Sequence, residues 1–237
     1  FKSFYWNDCT DKLDYYTSEW KKLGFQPDGI YTGFLSSEKQ VDKILDFINS
    51  FETENTLVLV DPVMGDGGRT YSLFTDALAC KMKKLVTVAD VITPNLTECC
   101  ILCDVDYCEF IKNADKPDFM DKIAELGKNL LNRYGVKIVI ITGIEHKDIE
   151  GTMYVQNLIA SKDEVFSVSC KKIGGSYSGT GDLFASVMFS GLLRGDTLRD
   201  TVSLAVKFIE TSLRDTVALG IDRNEGIEFE KHLKILL

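Results

Sequence analysis

The sequence predicts an α/β fold in which a central, mainly parallel sheet carries helices on both faces. Two observations predict it. Runs such as Thr56-Leu57-Val58-Leu59-Val60 and Lys137-Ile138-Val139-Ile140-Ile141-Thr142 are continuously apolar, the pattern of strands buried on both faces. These runs alternate with amphipathic helical patterns, the order expected of βα units and so of parallel strands.

The elements follow in order. Residues 11–23 place Leu13, Tyr16, Trp20 and Leu23 at helical spacing and end at Gly24. Residues 29–34 read as a short strand. Ser36-Ser37-Glu38 opens a helix with Val41, Ile44, Leu45 and Ile48 on one face. The strand at 56–60 stops at Asp61-Pro62, and a helix covers 75–88. The short strand Val91-Ile92-Thr93 stops at Pro94, and another helix starts near Leu96. Residues 104–117 predict a loop with a short helix, and 118–134 an amphipathic helix ending at Gly135. The strand at 137–142 is closed by Gly143, and 151–155 with 164–168 predict an antiparallel pair at the sheet edge. Helices fill 181–193 and 197–219, and a short one spans 227–236. Neither a linker nor an internal repeat interrupts the chain, so 1–237 reads as a single domain.

The composition fits a soluble globular protein, with 45% hydrophobic and 27% charged residues, and no apolar run approaches a membrane span. A net charge of −9 argues against nucleic acid as partner. It leaves phosphate chemistry open, because local N–H groups and a metal ion suffice there. Seven cysteines without a secretory pattern suggest a reduced, cytoplasmic compartment. Cys99, Cys100, Cys103 and Cys108 lack a second spaced pair or a histidine, so they read as small helical hydrophobes rather than zinc ligands.

The stretch Gly179-Thr180-Gly181-Asp182 runs directly into the apolar helix beginning Leu183-Phe184-Ala185. Unpaired N–H groups at a helix N-terminus attract anions, and glycines permit close approach. Taken alone, the tetrapeptide fits an aspartate cap as well as an anion-binding turn with Asp182 as a base. Polar residues at the other strand ends favour chemistry, since ligands of open α/β sheets bind beyond those ends. Asp61 ends one strand, and Asp66 follows in a Gly65-Asp66-Gly67-Gly68 loop. Thr93 ends the next, with Asn95 and Glu98 beyond it, and Thr142 ends a third. Asn95 and Glu98 also have capping-box spacing. Hard oxygen ligands at one sheet edge suit Mg2+ held between carboxylates and phosphates, and phosphoryl transfer with Asp182 deprotonating an acceptor hydroxyl. His146 and His232, the only histidines, are assigned no role, which disfavours a Ser-His-Asp hydrolase.

Asp61-Pro62-Val63-Met64-Gly65-Asp66, Thr93-Pro94-Asn95-Leu96-Thr97-Glu98 and Gly179-Thr180-Gly181-Asp182, in that order and spacing, resemble the ribokinase-like superfamily, and within it the pyridoxal/pyridoxamine kinases. The resemblance runs from about Phe1 to the 190s. It implies a ribokinase-like kinase domain over 1–237 without the family's N-terminal strand and substrate loop. It implies ATP-dependent phosphorylation of the 5′-hydroxyl of a B6 vitamer (pyridoxal, pyridoxamine or pyridoxine). Asp182 is then the general base and Gly179, Thr180 and Gly181 the anion hole. Asn95 and Glu98 would handle the Mg2+–triphosphate. Asp61, Thr93 and Thr142 match positions that contact nucleotide phosphates or a monovalent cation, K+ or Na+. With Asp66, Asp61, Thr93, Glu98 and Thr142 form the implied metal set. Ile173, Gly174 and Gly175 match a nucleotide-contacting segment, and Thr180 belongs to it as well. Phe34 stands where many such kinases have Tyr, and implies ring stacking on the substrate. The family is usually homodimeric. The related hydroxymethylpyrimidine kinases share Asp-Pro-Val but typically carry Cys at the position of Asp182. They and other small-molecule kinases of the superfamily are the alternative, and a non-catalytic nucleotide- or vitamin-binding relative is a third.

Overall fold

The computed structural model describes residues 5–237; the resemblance's first positions, from Phe1, lie outside them. Six strands form the main sheet in the order β1 (Gly29–Thr32), β2 (Leu57–Val60), β5 (Val91–Ile92), β6 (Ile138–Lys147), β7 (Met153–Ser161), β8 (Val165–Lys171). The first four are parallel and the last two antiparallel. A separate two-stranded ribbon pairs β3 (Gly65–Asp66) with β4 (Arg69–Thr70).

Alternation within the apolar runs builds two cores. Val58, Val60, Ile92, Val139 and Ile141 face one cluster. It packs beneath α2 (Glu38–Phe51), α3 (Asp76–Val86), α4 (Leu96–Cys103) and α6 (Phe119–Tyr134). Leu59, Val91, Ile140 and Ile159 face the opposite cluster under α7 (Thr180–Arg194) and α8 (Leu198–Ala218). A continuous apolar run therefore serves both faces, as a doubly covered strand requires. Side-chain caps fix several helix starts: Ser37, Thr75 and Thr197 accept amides of their first turns. The elements α1 (Leu13–Lys22) and α5 (Tyr107–Ile111) complete the set.

Four expectations change. The strand beginning near 137 does not end at Gly143 but runs to Lys147. Thr142 and Gly143 together oppose Asn157, and Gly143 takes φ +69°, so the glycine makes a β-bulge rather than a stop. The antiparallel pair is longer than 151–155 with 164–168, because Leu158–Ala160 continue β7 into the core. The strand at 29–34 ends at Thr32. The C-terminal helix is a 3-10 segment, Glu230–Leu236. No described helix is long and apolar enough to cross a membrane. Cys99 and Cys100 are buried core residues, whereas Cys108 is exposed, and no metal-binding cluster of His, Cys, Asp or Glu occurs among the described residues.

Candidate functional site

The strand register carries the site. Thr32 pairs with Val60, Val60 with Ile92, and Ile92 with Val139, so β1, β2 and β5 end at one level while β6 runs on past it. Asp61 and Thr93 are the next residues outward. The Asp61 amide donates to the Thr32 carbonyl at 2.9 Å and the Thr93 amide to Val60 at 3.3 Å. One step further, Asn95 bridges Thr142 in parallel fashion, anchored by the Thr142 amide on the Pro94 carbonyl at 2.9 Å. A cavity of about 640 Å³ opens above these ends. Phe34, Asp61, Asp66, Thr93, Asn95, Glu98, Thr142, Ile173, Gly175, Gly179, Thr180, Gly181 and Asp182 all line it. The one sequence-predicted residue outside it is Gly174. It turns with φ +62° against Val217, whose methyl would meet a Cβ there at 2.6 Å, so it shapes the turn instead of facing the cavity.

The N-terminus of α7 bears on the capping reading of its glycine turn. Gly179 is the N-cap, in left-handed conformation with φ +83°, and no side chain caps this end. Asp182 is the third helical residue and the N-cap position belongs to Gly179, so the aspartate-cap alternative is not the one the fold uses. The Thr180 hydroxyl is committed to the Tyr177 carbonyl at 2.6 Å, leaving the N–H groups of this first turn without a side-chain acceptor. Asp182 reaches across to β1, where its Oδ1 accepts a long hydrogen bond from the Tyr31 hydroxyl at 3.4 Å.

Asn95 and Glu98 form the capping box of α4, with the Glu98 amide donating to Asn95 Oδ1 at 3.0 Å and the Asn95 amide to Glu98 Oε2 at 2.8 Å. The buried Glu98 carboxylate also accepts the Met64 amide, at 3.0 Å on Oε1. The Asn95 side-chain amide donates to the Gly65 carbonyl at 2.8 Å. Helix α4 therefore holds the segment from Asp61 to Gly65 in place. Asp66 does not lie in an irregular loop. Gly67 and Gly68, both with positive φ, turn a tight β3–β4 hairpin that presents Asp66 to the cavity.

Electrostatics mark this end as an unneutralised acidic cluster. Burial pushes the Asp61 carboxyl up to about 7, with the Asp182 charge adding to it and the adjacent Thr93 hydroxyl opposing it. Burial also pushes Glu98 up to about 8, aided by Asp61 and opposed by the backbone amides of Asn95, Met64 and Gly65. Among the described residues no Lys, Arg or His pairs with Asp61, Asp66, Glu98 or Asp182. Thr32 Oγ1 and Thr93 Oγ1 are buried without a hydrogen-bond partner. Hard oxygens, uncompensated charge and unpartnered hydroxyls fit a cation such as Mg2+. The protein offers no complete cage, because no three carboxylates converge on one point among the described residues. Phosphate oxygens and water would have to fill the remaining positions.

Sequence reasoning missed Tyr31, Tyr71 and Asn157. Tyr71 lines the cavity beyond the β3–β4 hairpin, and its phenol is pushed up by burial and by the charges of Glu98, Asp66, Asp61 and Asp182. Asn157 faces the bulge, where its Oδ1 accepts the Gly143 amide at 3.3 Å. Neither lies in a motif; the bulge glycine was the one available signal for Asn157.

Comparison with known proteins places this geometry among characterised folds. A family model described as phosphomethylpyrimidine kinase matches residues 21–226. A crystal structure of a candidate phosphomethylpyrimidine kinase from Bacteroides thetaiotaomicron, in an orthorhombic form with pyridoxal, superposes with a TM-score of 0.88 at 36% identity. The match covers all of this chain and 80% of that one. A candidate pyridoxal kinase of Schizosaccharomyces pombe is 29% identical over 171 residues, covering 70% of this chain and 47% of its own length. The hydroxymethylpyrimidine/phosphomethylpyrimidine kinase of Staphylococcus aureus is 27% identical over 198 residues, covering 83% and 66% respectively. The chain spans between about half and two thirds of the length of the curated relatives it matches.

Proposed function

The chain belongs to the phosphomethylpyrimidine kinase family, the group of the ribokinase-like superfamily that includes the pyridoxal kinases. From that premise we propose that it transfers the γ-phosphoryl group of ATP to the 5′-hydroxyl of a B6 vitamer. The observation that carries the reading is Asp182. It sits in the first turn of an uncapped helix, free of any capping duty, on a cavity lined by the strand ends. In this reading its carboxylate takes the proton of the acceptor hydroxyl as the oxygen attacks the phosphorus. The N–H groups of Gly179, Thr180 and Gly181 stabilise charge on the transferring group. Phe34, half-exposed on the cavity wall, stacks on the acceptor ring. Asn95, Thr142, Ile173 and Gly175 contact the nucleotide. Asp61, Asp66 and Glu98 would offer acidic oxygens to Mg2+ without forming a common cage, phosphate oxygens and water completing its coordination, with Thr93 and Thr142 at the adjoining phosphate or monovalent-cation position. When bound, Mg2+ supplies charge neutralisation on the phosphate oxygens.

Pyridoxal as acceptor is supported by the Bacteroides protein crystallised with it. The second reading, a hydroxymethylpyrimidine acceptor, is supported by the family description and the Staphylococcus relative. Either acceptor is a flat heteroaromatic ring bearing a hydroxymethyl group, which suits the same base and the same aromatic wall. A cytoplasmic homodimer is part of the proposal, checked by light scattering on the purified protein.

The test is ADP release by the full-length natural protein with Mg·ATP and a panel of pyridoxal, pyridoxine, pyridoxamine and hydroxymethylpyrimidine, with Asp182→Asn in parallel. Release dependent on a B6 vitamer and lost by orders of magnitude in the variant is expected. Turnover confined to the pyrimidine would select the second reading. Binding without turnover would overturn the kinase assignment.

A further inference from the structure

The residue that most closely engages Asp182 is one that no motif includes. Tyr31 stands on β1, opposite Leu59 of β2, and its hydroxyl meets Asp182 Oδ1 at 3.4 Å across a sequence separation of 151. Three features of the chain hold that pairing. The Tyr31 ring lies tilted against the Phe189 ring of α7, with centroids 6.3 Å apart. Two residues earlier, Gly29 lets α7 sit close on β1: a Cβ there would fall 2.5 Å from the tip of the Phe189 ring. Two residues later, Gly33 runs alongside the pair, its Cβ position 3.7 Å, an ordinary contact distance, from both Asp182 Oδ1 and the Tyr31 hydroxyl.

We propose that Tyr31 is a positioning residue for the phosphoryl-transfer step, donating its hydroxyl hydrogen bond to Asp182 Oδ1 so that Oδ2 is presented to the acceptor hydroxyl. This rests on the reading of Asp182 as the base. Hydroxyl-to-carboxylate contacts at catalytic sites are often long without substrate and tighten in the reactive complex. Tyr31 is suited to donate, because burial and the charges of Asp61 and Asp182 keep its phenol protonated. A donor to one carboxylate oxygen fixes the plane of the group. The groups facing Asp182 are Tyr31 from β1, Asp61 from the end of β2 and Tyr71 from beyond β4. Two of those three are phenols and one is an acid, so Tyr31 is the group in hydrogen-bonding contact that offsets the repulsion from Asp61.

The experiment compares wild type, Tyr31→Phe, Asp182→Asn and the double variant in the full-length natural protein, with Mg·ATP and whichever of pyridoxal or hydroxymethylpyrimidine the wild type phosphorylates. Phenylalanine keeps the ring against Phe189, and a thermal melt checks that the fold is retained. The expected result is a fall in kcat of about 10- to 100-fold, the usual size for loss of a supporting partner, with both KM values little changed. In the Asp182→Asn background the same change should cost nothing further, since Tyr31 acts through Asp182.

Wild-type kcat in Tyr31→Phe, alongside an inactive Asp182→Asn, would overturn the assignment of Tyr31 alone. So would a rise confined to the acceptor KM, or an equal loss in both backgrounds. Full activity in Asp182→Asn would instead remove the base, and this proposal with it.

Discussion

The Met64 amide donates to Glu98 Oε1 at 3.0 Å, so one buried carboxylate ties the turn after β2 to the first turn of α4. Its other oxygen holds the Asn95 amide at 2.8 Å. Replacing Glu98 by Ala would leave two amides without acceptors at a dry position. Each unsatisfied buried group costs about 1–3 kcal/mol, partly offset by removal of a buried acid. We expect Glu98→Ala to destabilise the protein by about 2 kcal/mol in urea unfolding, whereas Glu98→Gln, which keeps one acceptor, should lose less.

The same burial makes stability depend on pH. The carboxyls of Asp61 and Glu98 are raised to about 7 and about 8 in the fold, mainly by burial, from about 4 in an unfolded chain. Between those limits the native state binds more protons than the unfolded state, so stability falls as pH rises. The contribution is fully present below about pH 4 and is lost through about pH 8. Unfolding midpoints measured from pH 5 to 8 should therefore decline from this pair, and Asp61→Asn should flatten the slope. Mg·ATP should flatten it as well, because a cation favours the ionised carboxylates. A midpoint that rises across this range in the free protein, with Asp61→Asn unchanged, would contradict the burial argument.

The sequence exposed the strand ends because its punctuation is local. Asp61 and Thr93 each precede a proline that stops a strand, and the parallel register places them side by side. Asp182 was legible for a similar reason, a glycine turn feeding a helix. The contacts that assemble the site are different in kind. Tyr31 and Asp182 meet across 151 positions, and no periodicity encodes that meeting. Gly143 read as a stop because a bulge and a strand end use the same residue type; only the pairing of Thr142 and Gly143 against Asn157 separates them. Gly174 sat in a segment whose neighbours line the cavity, and its turn away from it is set by Val217 on another helix. The pair Asn95 and Glu98 carried capping-box spacing openly, and the fold uses it. Sequence spacing showed the bond within the helix turn but not the second bond, to Met64.

The β3–β4 hairpin yields a steric prediction. A Cβ on Gly65 would fall 2.3 Å from the Arg69 carbonyl oxygen and 2.9 Å from Thr70 Cα, both backbone atoms of the paired strand. Backbone cannot rotate away as a side-chain tip does, so Gly65→Ala should open the ribbon and shift Asp66 relative to the cavity. It would also disturb the Asn95 side-chain bond to the Gly65 carbonyl. We expect a stability loss of about 1–3 kcal/mol, typical of overpacking, together with weaker Mg·ATP binding by calorimetry. Gly67→Ala is the contrast: no atom lies within 4 Å of its Cβ position, so strain from its φ of +57° is its one penalty. Equal losses of nucleotide affinity in the two variants would show that hairpin packing does not control Asp66.

The proposed stacking role of Phe34 predicts that acceptor binding and nucleotide binding can be separated. Its ring lines the cavity while Trp6 packs edge-on against it, with centroids 6.2 Å apart. The ring offers no hydrogen bond, so its contribution to an aromatic acceptor is stacking and excluded water, worth about 0.5–1.5 kcal/mol beyond area burial. Phe34→Ala should therefore raise the acceptor KM by roughly tenfold, the equivalent of about 1.4 kcal/mol. The KM for ATP should change far less, because the glycine turn and strand ends proposed to hold the phosphates are untouched. Phe34→Tyr keeps the ring and should restore the acceptor KM. Steady-state kinetics with each substrate varied in turn will decide the matter. A rise in the ATP KM matching that of the acceptor would move Phe34 from the acceptor wall to a general role in closing the cavity.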